Sequence, residues 1–159
     1  MRYPLARIAC VAVLLVLVGC ASSPGRLEGT ASAPPPGEKI AALAQTLVGS
    51  PYRYGGADPA GFDCSGLVFF VHHELGIDVP RTAVEQSFAA TPVTAGDLEP
   101  GDVVFFRDPG PRVTHVGVYV GEHRFVHAPK TGRPVSYASL DDDYYRATFL
   151  GAGRFYTGP

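Results

Sequence analysis

Everything in this chain that can build a core lies after residue 38, because neither of the two segments ahead of it can bury enough surface. Ile8 to Val18 is an unbroken apolar run of 11 residues behind Arg2 and Arg7, whereas a helix needs roughly 20 such residues to cross a bilayer. Residues 1–19 therefore read as a cleavable signal rather than a membrane span. Ala21 to Gly37, ASSPGRLEGTASAPPPG, has few large apolar side chains and includes Pro34, Pro35 and Pro36. Such a stretch cannot offset the entropy of being ordered, so residues 20–38 read as a flexible tether. What remains, residues 39–159, is enough for one compact domain and too short for two separate cores. With 13 Lys+Arg against 15 Asp+Glu there is no broad basic surface, which argues against nucleic acid as a partner.

The signal ends in Leu17-Val18-Gly19-Cys20. Small Gly19 suits a signal peptidase pocket, and Cys20 offers a thiol for diacylglycerol, a pattern that resembles the lipobox of bacterial lipoproteins. The resemblance implies an envelope lipoprotein of a Gram-negative cell, anchored through acyl chains on Cys20. Ala21 rather than Asp after the cysteine points to the periplasmic side of the outer membrane. Several acyl chains hold far better than one. Without residues 1–19 the net charge falls from −2 to −4, so the domain is expected to stand off anionic lipid. Of the three cysteines, Cys10 leaves with the signal and Cys20 is acylated. Cys64 is then the one free thiol in an oxidising compartment, with no intrachain disulfide partner.

Glu38 to Val48 places Ile40, Leu43, Ala44, Leu47 and Val48 on one helical stripe, stopped by Gly49 and Pro51. A turn-rich stretch from Pro51 to Gly61 follows, and a second helical pattern begins near Cys64, with Leu67, Val68, Val71 and Leu75 on one side and Gly76 after its end. A short helix through about Ala90 is expected next. Strands are expected at Val103–Phe106, Val113–Gly121, Arg124–Ala128 and Phe149–Tyr156. Helices first and strands later predict an α+β domain, an antiparallel sheet with helices on one face.

Cys64 at a helix start meets unpaired N–H groups and the positive end of the helix dipole, which predicts a lowered thiol pKa and a poised thiolate. Asp63 is placed to cap the same helix. In Thr114 to Gly121 strict alternation puts His115, Gly117 and Tyr119 on one face and three valines on the other, so His115 is expected to have open space beside Gly117. Phe125 and His127 share a face of the next strand. Both histidines point to one side of a hairpin if Gly121-Glu122-His123 forms a three-residue connection or if a bulge intervenes. Cys64, His115 and His127 then form a possible nucleophile, base and orienting group. The Cys64 backbone N–H and Tyr52 are the candidate oxyanion donors, a contribution of about 3 kcal/mol each. Arg81 suits a substrate carboxylate or pairs with an acid. His72 and His73 are expected to be solvated, His123 to sit in the hairpin loop, Tyr144 and Tyr145 to pack, and Asp141–Asp143 to be a solvated turn rather than a calcium loop.

SPYRYGG, FDCSGLV, PRTAVEQ, LEPGDVVFF, HVGVYVG, FVHAP and YYRATFLGAGRF, in that order, closely resemble the NlpC/P60 cysteine peptidases of bacterial cell walls over about residues 39 to 157. The resemblance implies a papain-like α+β fold with Cys64 as nucleophile, His115 as base and His127 as third polar residue. It also implies that Tyr52, Asp63, Ser65 and Arg81 line the site, Asp63 and Ser65 helping to hold the peptide. Family members cut peptidoglycan stem peptides, commonly between D-glutamate and meso-diaminopimelate, and some lipoprotein members open the cross-link between diaminopimelate and D-alanine. No cofactor is implied, and an adaptor or regulatory protein is left open. Two rivals stand beside this reading: a wall-binding lipoprotein without hydrolysis, and a zinc site made of one Cys and two His. The first gains little from an oxidisable sulfur, and the second lacks any CxxC or HExxH element.

Overall fold

The computed structural model describes residues 33–108 and 110–157. The signal of residues 1–19, Cys20 and the tether as far as Ser32 lie outside the described residues. Helix α1 (Pro36–Thr46) begins two residues before the sequence pattern does, because Pro36 sits in the first turn, where a missing N–H costs nothing. It buries Ile40, Ala41 and Ala44. The turn-rich stretch contains a small ladder, β1 (Ala57–Asp58) with β2 (Gly61–Phe62), and leads into α2 (Cys64–His73) and α3 (Ala83–Ala89). Then come β3 (Thr91–Val93), β4 (Val103–Phe106), β5 (His115–Gly121), β6 (Arg124–His127), β7 (Ser136–Ser139), α4 (Asp143–Thr148) and β8 (Phe149–Arg154).

Six of these strands form one antiparallel sheet in the order β3-β8-β4-β5-β6-β7. On the face covered by α1 and α2, Val103, Phe105, Val116, Val118 and Val126 pack with Ile40, Leu67, Val68 and Val71. The opposite face is also covered. Val104, Phe106, Tyr119, Phe125 and Ala152 form a smaller cluster there, with Leu98, Leu140, Tyr145 and Phe149 against it. Burial on both faces is why β4 reads as the continuous apolar run Val-Val-Phe-Phe rather than as an alternation.

The hairpin that sets the histidines is a two-residue one. Glu122 and His123 both take positive φ, 52° and 56°, the pattern of a type I′ turn. Pairing runs Val118 with Val126 and Tyr119 with Phe125, then shifts so that Gly121 meets Arg124. Val120 is the extra residue of a bulge. The bulge therefore does the work expected of a three-residue connection, and it leaves His115 and His127 on one face. The space beside Gly117 is not open, however. A Cβ there would lie 2.5 Å from the Phe125 ring, so the glycine makes room for an aromatic core residue rather than for movement of His115.

Candidate active site

Each of the three candidate chemistry-bearing residues stands at the end of an element: Cys64 opens α2, His115 opens β5 and His127 closes β6. Asp63 caps α2 by accepting the Gly66 N–H at 2.6 Å. The Cys64 sulfur is faced by three backbone N–H groups, its own and those of Ser65 and Val116. Because Val116 follows His115, this contact seats the sulfur against the start of β5. His115 Nε2 lies 2.7 Å from His127 Nδ1, with the rings edge to face at 78°. His127 Nε2 in turn lies 3.4 Å from the Tyr145 hydroxyl.

These contacts dictate protonation. Burial pushes the Cys64 thiol up, the charge of Asp63 adds to this, and the three N–H groups offset only part of it. The expected resting thiolate is thus corrected: desolvation outweighs the helix terminus, and the sulfur rests as a thiol. Burial also lowers His115 to about 4. It lowers His127 to about 3, with the neighbouring His115 a second cause. The thiol and both imidazoles therefore rest neutral.

Asp63, Ser65 and Arg81 come together as one network. Arg81 grips Asp63 with both terminal nitrogens, at 2.9 and 2.8 Å, and also donates to Ser65 Oγ at 3.0 Å and to the Gly56 carbonyl at 3.1 Å. Asp63 further accepts the Gly55 N–H at 2.9 Å. Burial alone would raise the Asp63 carboxyl, but Arg81 and the Gly66 and Gly55 N–H groups outweigh it and hold the carboxyl below its ordinary range. The guanidinium is thus engaged by Asp63, the acid-pairing alternative of the two considered. Gly66 is required for this closeness, since a Cβ there would strike the Gly56 carbonyl and crowd the Asp63 and Arg81 side chains. Tyr52, held by a bridge to Phe62, has its hydroxyl pKa raised by burial, then by the charges of Cys64 and Asp63.

One expectation is overturned outright. His72 is fully buried rather than solvated; its Nδ1–H donates to the Val68 carbonyl at 2.8 Å, and burial lowers it to about 4. The α2 face that carries it turns inward against Phe155. His73 is exposed, as expected, and His123 sits in the hairpin turn beside Asp141 at 3.1 Å. Asp141–Asp143 are exposed. Among the described residues no group of three or more His, Cys, Asp or Glu side chains is arranged to hold a metal ion.

Two contributors escaped sequence reasoning. Tyr145 does pack, against Phe106 and Phe125, but its hydroxyl also reaches His127. Gln86, buried in α3, donates to the Ser65 and Pro80 carbonyls at 3.0 and 2.8 Å and ties the start of α2 to the loop before α3. A polar side chain inside a short capped helix was the only signal for it.

The profile of the NlpC/P60 family matches residues 49–154. The chain belongs to the NlpC/P60 family. Its NlpC/P60 region is 44% identical over 115 residues to murein DD-endopeptidase MepH of Escherichia coli K12, covering 69% of this chain and 42% of that protein. It is 38% identical over 115 residues to the gamma-DL-glutamyl hydrolase of Bacillus subtilis 168, covering 70% of this chain and 28% of that one. The chain thus spans less than half the length of these relatives. The crystal structure of the NlpC/p60 domain of the peptidoglycan hydrolase SagA is similar with a TM-score of 0.65 at 33% identity, covering 74% of this chain and 97% of that one. The NlpC/P60 match takes in the Cys64 helix start, the histidine hairpin and β8.

Proposed function

We propose that this chain is a cysteine endopeptidase that hydrolyses peptidoglycan stem peptides, using Cys64 as nucleophile, His115 as base and His127 as orienting group. The observation that carries this reading is the 2.7 Å contact between His115 Nε2 and His127 Nδ1. With Nε2 committed to His127, Nδ1 is the His115 nitrogen left for the thiol. For Nδ1 to accept a proton, Nε2 must carry the hydrogen and donate it to His127 Nδ1. His127 then carries its own hydrogen on Nε2, directed at the Tyr145 hydroxyl. One tautomer chain satisfies every contact.

In the proposed reaction the Cys64 proton passes to His115 Nδ1 as sulfur attacks the amide carbonyl, because neither the thiolate nor the imidazolium is stable beforehand in this buried setting. The oxyanion is met by the Cys64 N–H and by Tyr52. The C–N bond breaks as His115 returns its proton to the departing amine, leaving a thioester. Water then attacks the thioester, giving its proton to His115, and sulfur leaves to recover it. Asp63 and Ser65 offer the peptide contacts proposed for them, and Arg81 braces both. The scissile bond is D-glutamyl–meso-diaminopimelate or the diaminopimelate–D-alanine cross-link. The name of the 44% identical relative, a DD-endopeptidase, favours the cross-link. Residues 1–19 as signal, acylation at Cys20 and an outer-membrane location complete the proposal, supported by Arg2 and Arg7, the apolar run Ile8 to Val18, the lipobox pattern and Ala21; the tether expected over residues 20–38 is cut back to end before Pro36, where α1 begins.

The test is mass spectrometry of muropeptides after digestion by the full-length chain in detergent. Cleavage is expected to disappear in Cys64→Ser and in His115→Ala and to survive a chelator. Binding without cleavage by the unaltered chain would favour the wall-binding rival, and cleavage lost only on chelation would favour a metal.

A further inference from the structure

A cleft of about 660 Å³ adjoins the histidine pair, with Thr114, His115, His127, Lys130, Arg133 and Tyr145 among its walls. Cys64 is not among them. The acyl half of a substrate ends up on the sulfur, whereas the amine half leaves with the proton of His115. A cleft that touches the histidines but not the sulfur suits the departing half.

Two cations and one carboxylate line it. Among the described residues Arg53, Arg81, Arg124, Arg146 and Arg154 each pair with a carboxylate, while Lys130 and Arg133 in the cleft, like Lys39 in α1, pair with none. Arg107 and Arg112, in the loop that lends Asp108 and Thr114 to the cleft, are also exposed. The only acid lining the cleft is Asp108. Lys130 and Arg133 are the ends of a tight turn: the Arg133 N–H donates to the Lys130 carbonyl at 3.0 Å, and Gly132 supplies the positive φ of 84° that the turn needs. The two residues form a bridge pair, which puts their side chains on one face. Like charges placed opposite each other in this way are destabilising. A carboxylate seated between them removes that repulsion and gains charge-assisted hydrogen bonds.

We propose that Lys130 and Arg133 form an anion subsite for a carboxylate in the departing half of the substrate. Resting on the endopeptidase reading, this names the residue selected. In both candidate bonds the released amine is diaminopimelyl, which differs from lysyl by one carboxylate. The subsite selects the first over the second.

The experiment compares kcat/KM of the full-length chain on two matched peptides, one with diaminopimelate and one with lysine at the departing position. A preference of about tenfold for diaminopimelate is expected, the worth of one charge-assisted contact. It should collapse toward one in Lys130→Met/Arg133→Gln and persist in Lys130→Arg/Arg133→Lys. Equal cleavage of both peptides by the unaltered chain, or a preference that survives loss of both charges, overturns the subsite. If neither peptide is cut, the endopeptidase reading fails, and calorimetry on the Cys64→Ser chain still decides the subsite. Tighter binding of the diaminopimelyl peptide, lost with the two charges, supports it; equal binding refutes it.

Discussion

At the scale of single residues, the deciding fact is that burial sets the protonation of the site. A cysteine at a helix start reads as a thiolate from sequence, because the terminus is visible there and the depth of the sulfur is not. The same blindness hid His72 and the reach of Tyr145. If His127 orients His115 in the transition state, His127→Ala should lower kcat by at least about a hundredfold with little change in KM. A loss confined to KM would make His127 a substrate contact. Tyr145→Phe removes only the acceptor for the outer His127 N–H. We expect kcat to fall about fivefold, one neutral hydrogen bond, with KM unchanged. Steady-state kinetics on a muropeptide checks both, and an unaltered kcat in Tyr145→Phe would show that its hydroxyl has no positioning role.

At the scale of elements, legibility followed periodicity. The α1 stripe and the alternation of β5 were plain, and Cys64 was rightly placed at the start of α2. The elements missed had physical reasons. β3 contains Pro92, tolerated because β3 lies at the sheet edge. β7, Ser-Tyr-Ala-Ser, carries too few apolar residues to alternate, and α4 is a single short run of six residues. The Asp63–Arg81 network also spans elements that no local pattern links. Arg81→Met should strand Asp63, whose side chain is only 14% exposed. A destabilisation of about 2 kcal/mol is expected by chemical denaturation, discounted because Arg81 itself is partly solvated. Near-unchanged stability would show that the pair contributes little beyond placing the α2 start.

At the scale of the whole molecule, two buried imidazoles, His72 and His127, and the half-buried His115 tie stability to pH. An unfolded histidine gains its proton near 6.5, whereas His72 and His115 resist it until about 4 and His127 until about 3. Between those limits the unfolded chain binds more protons, so stability is complete above pH 6.5 and falls as pH drops toward 4. His72 alone should cost about 2 kcal/mol at pH 5. Scanning calorimetry should show a lower Tm at pH 5 than at pH 7.5, with the gap narrowed in His72→Leu; an equal gap would mean that His72 is not the source. The bulge at Val120 has a further reach for anyone re-engineering this scaffold. Ironing the bulge out without losing a residue, so that Val120 met Phe125 and Tyr119 met Val126 across the same two-residue turn, would leave a regular, well-paired hairpin, yet it would turn His127 to the far side of its ribbon. A slip of one residue in that ladder, with no change in chain length, would yield a sound but inert protein.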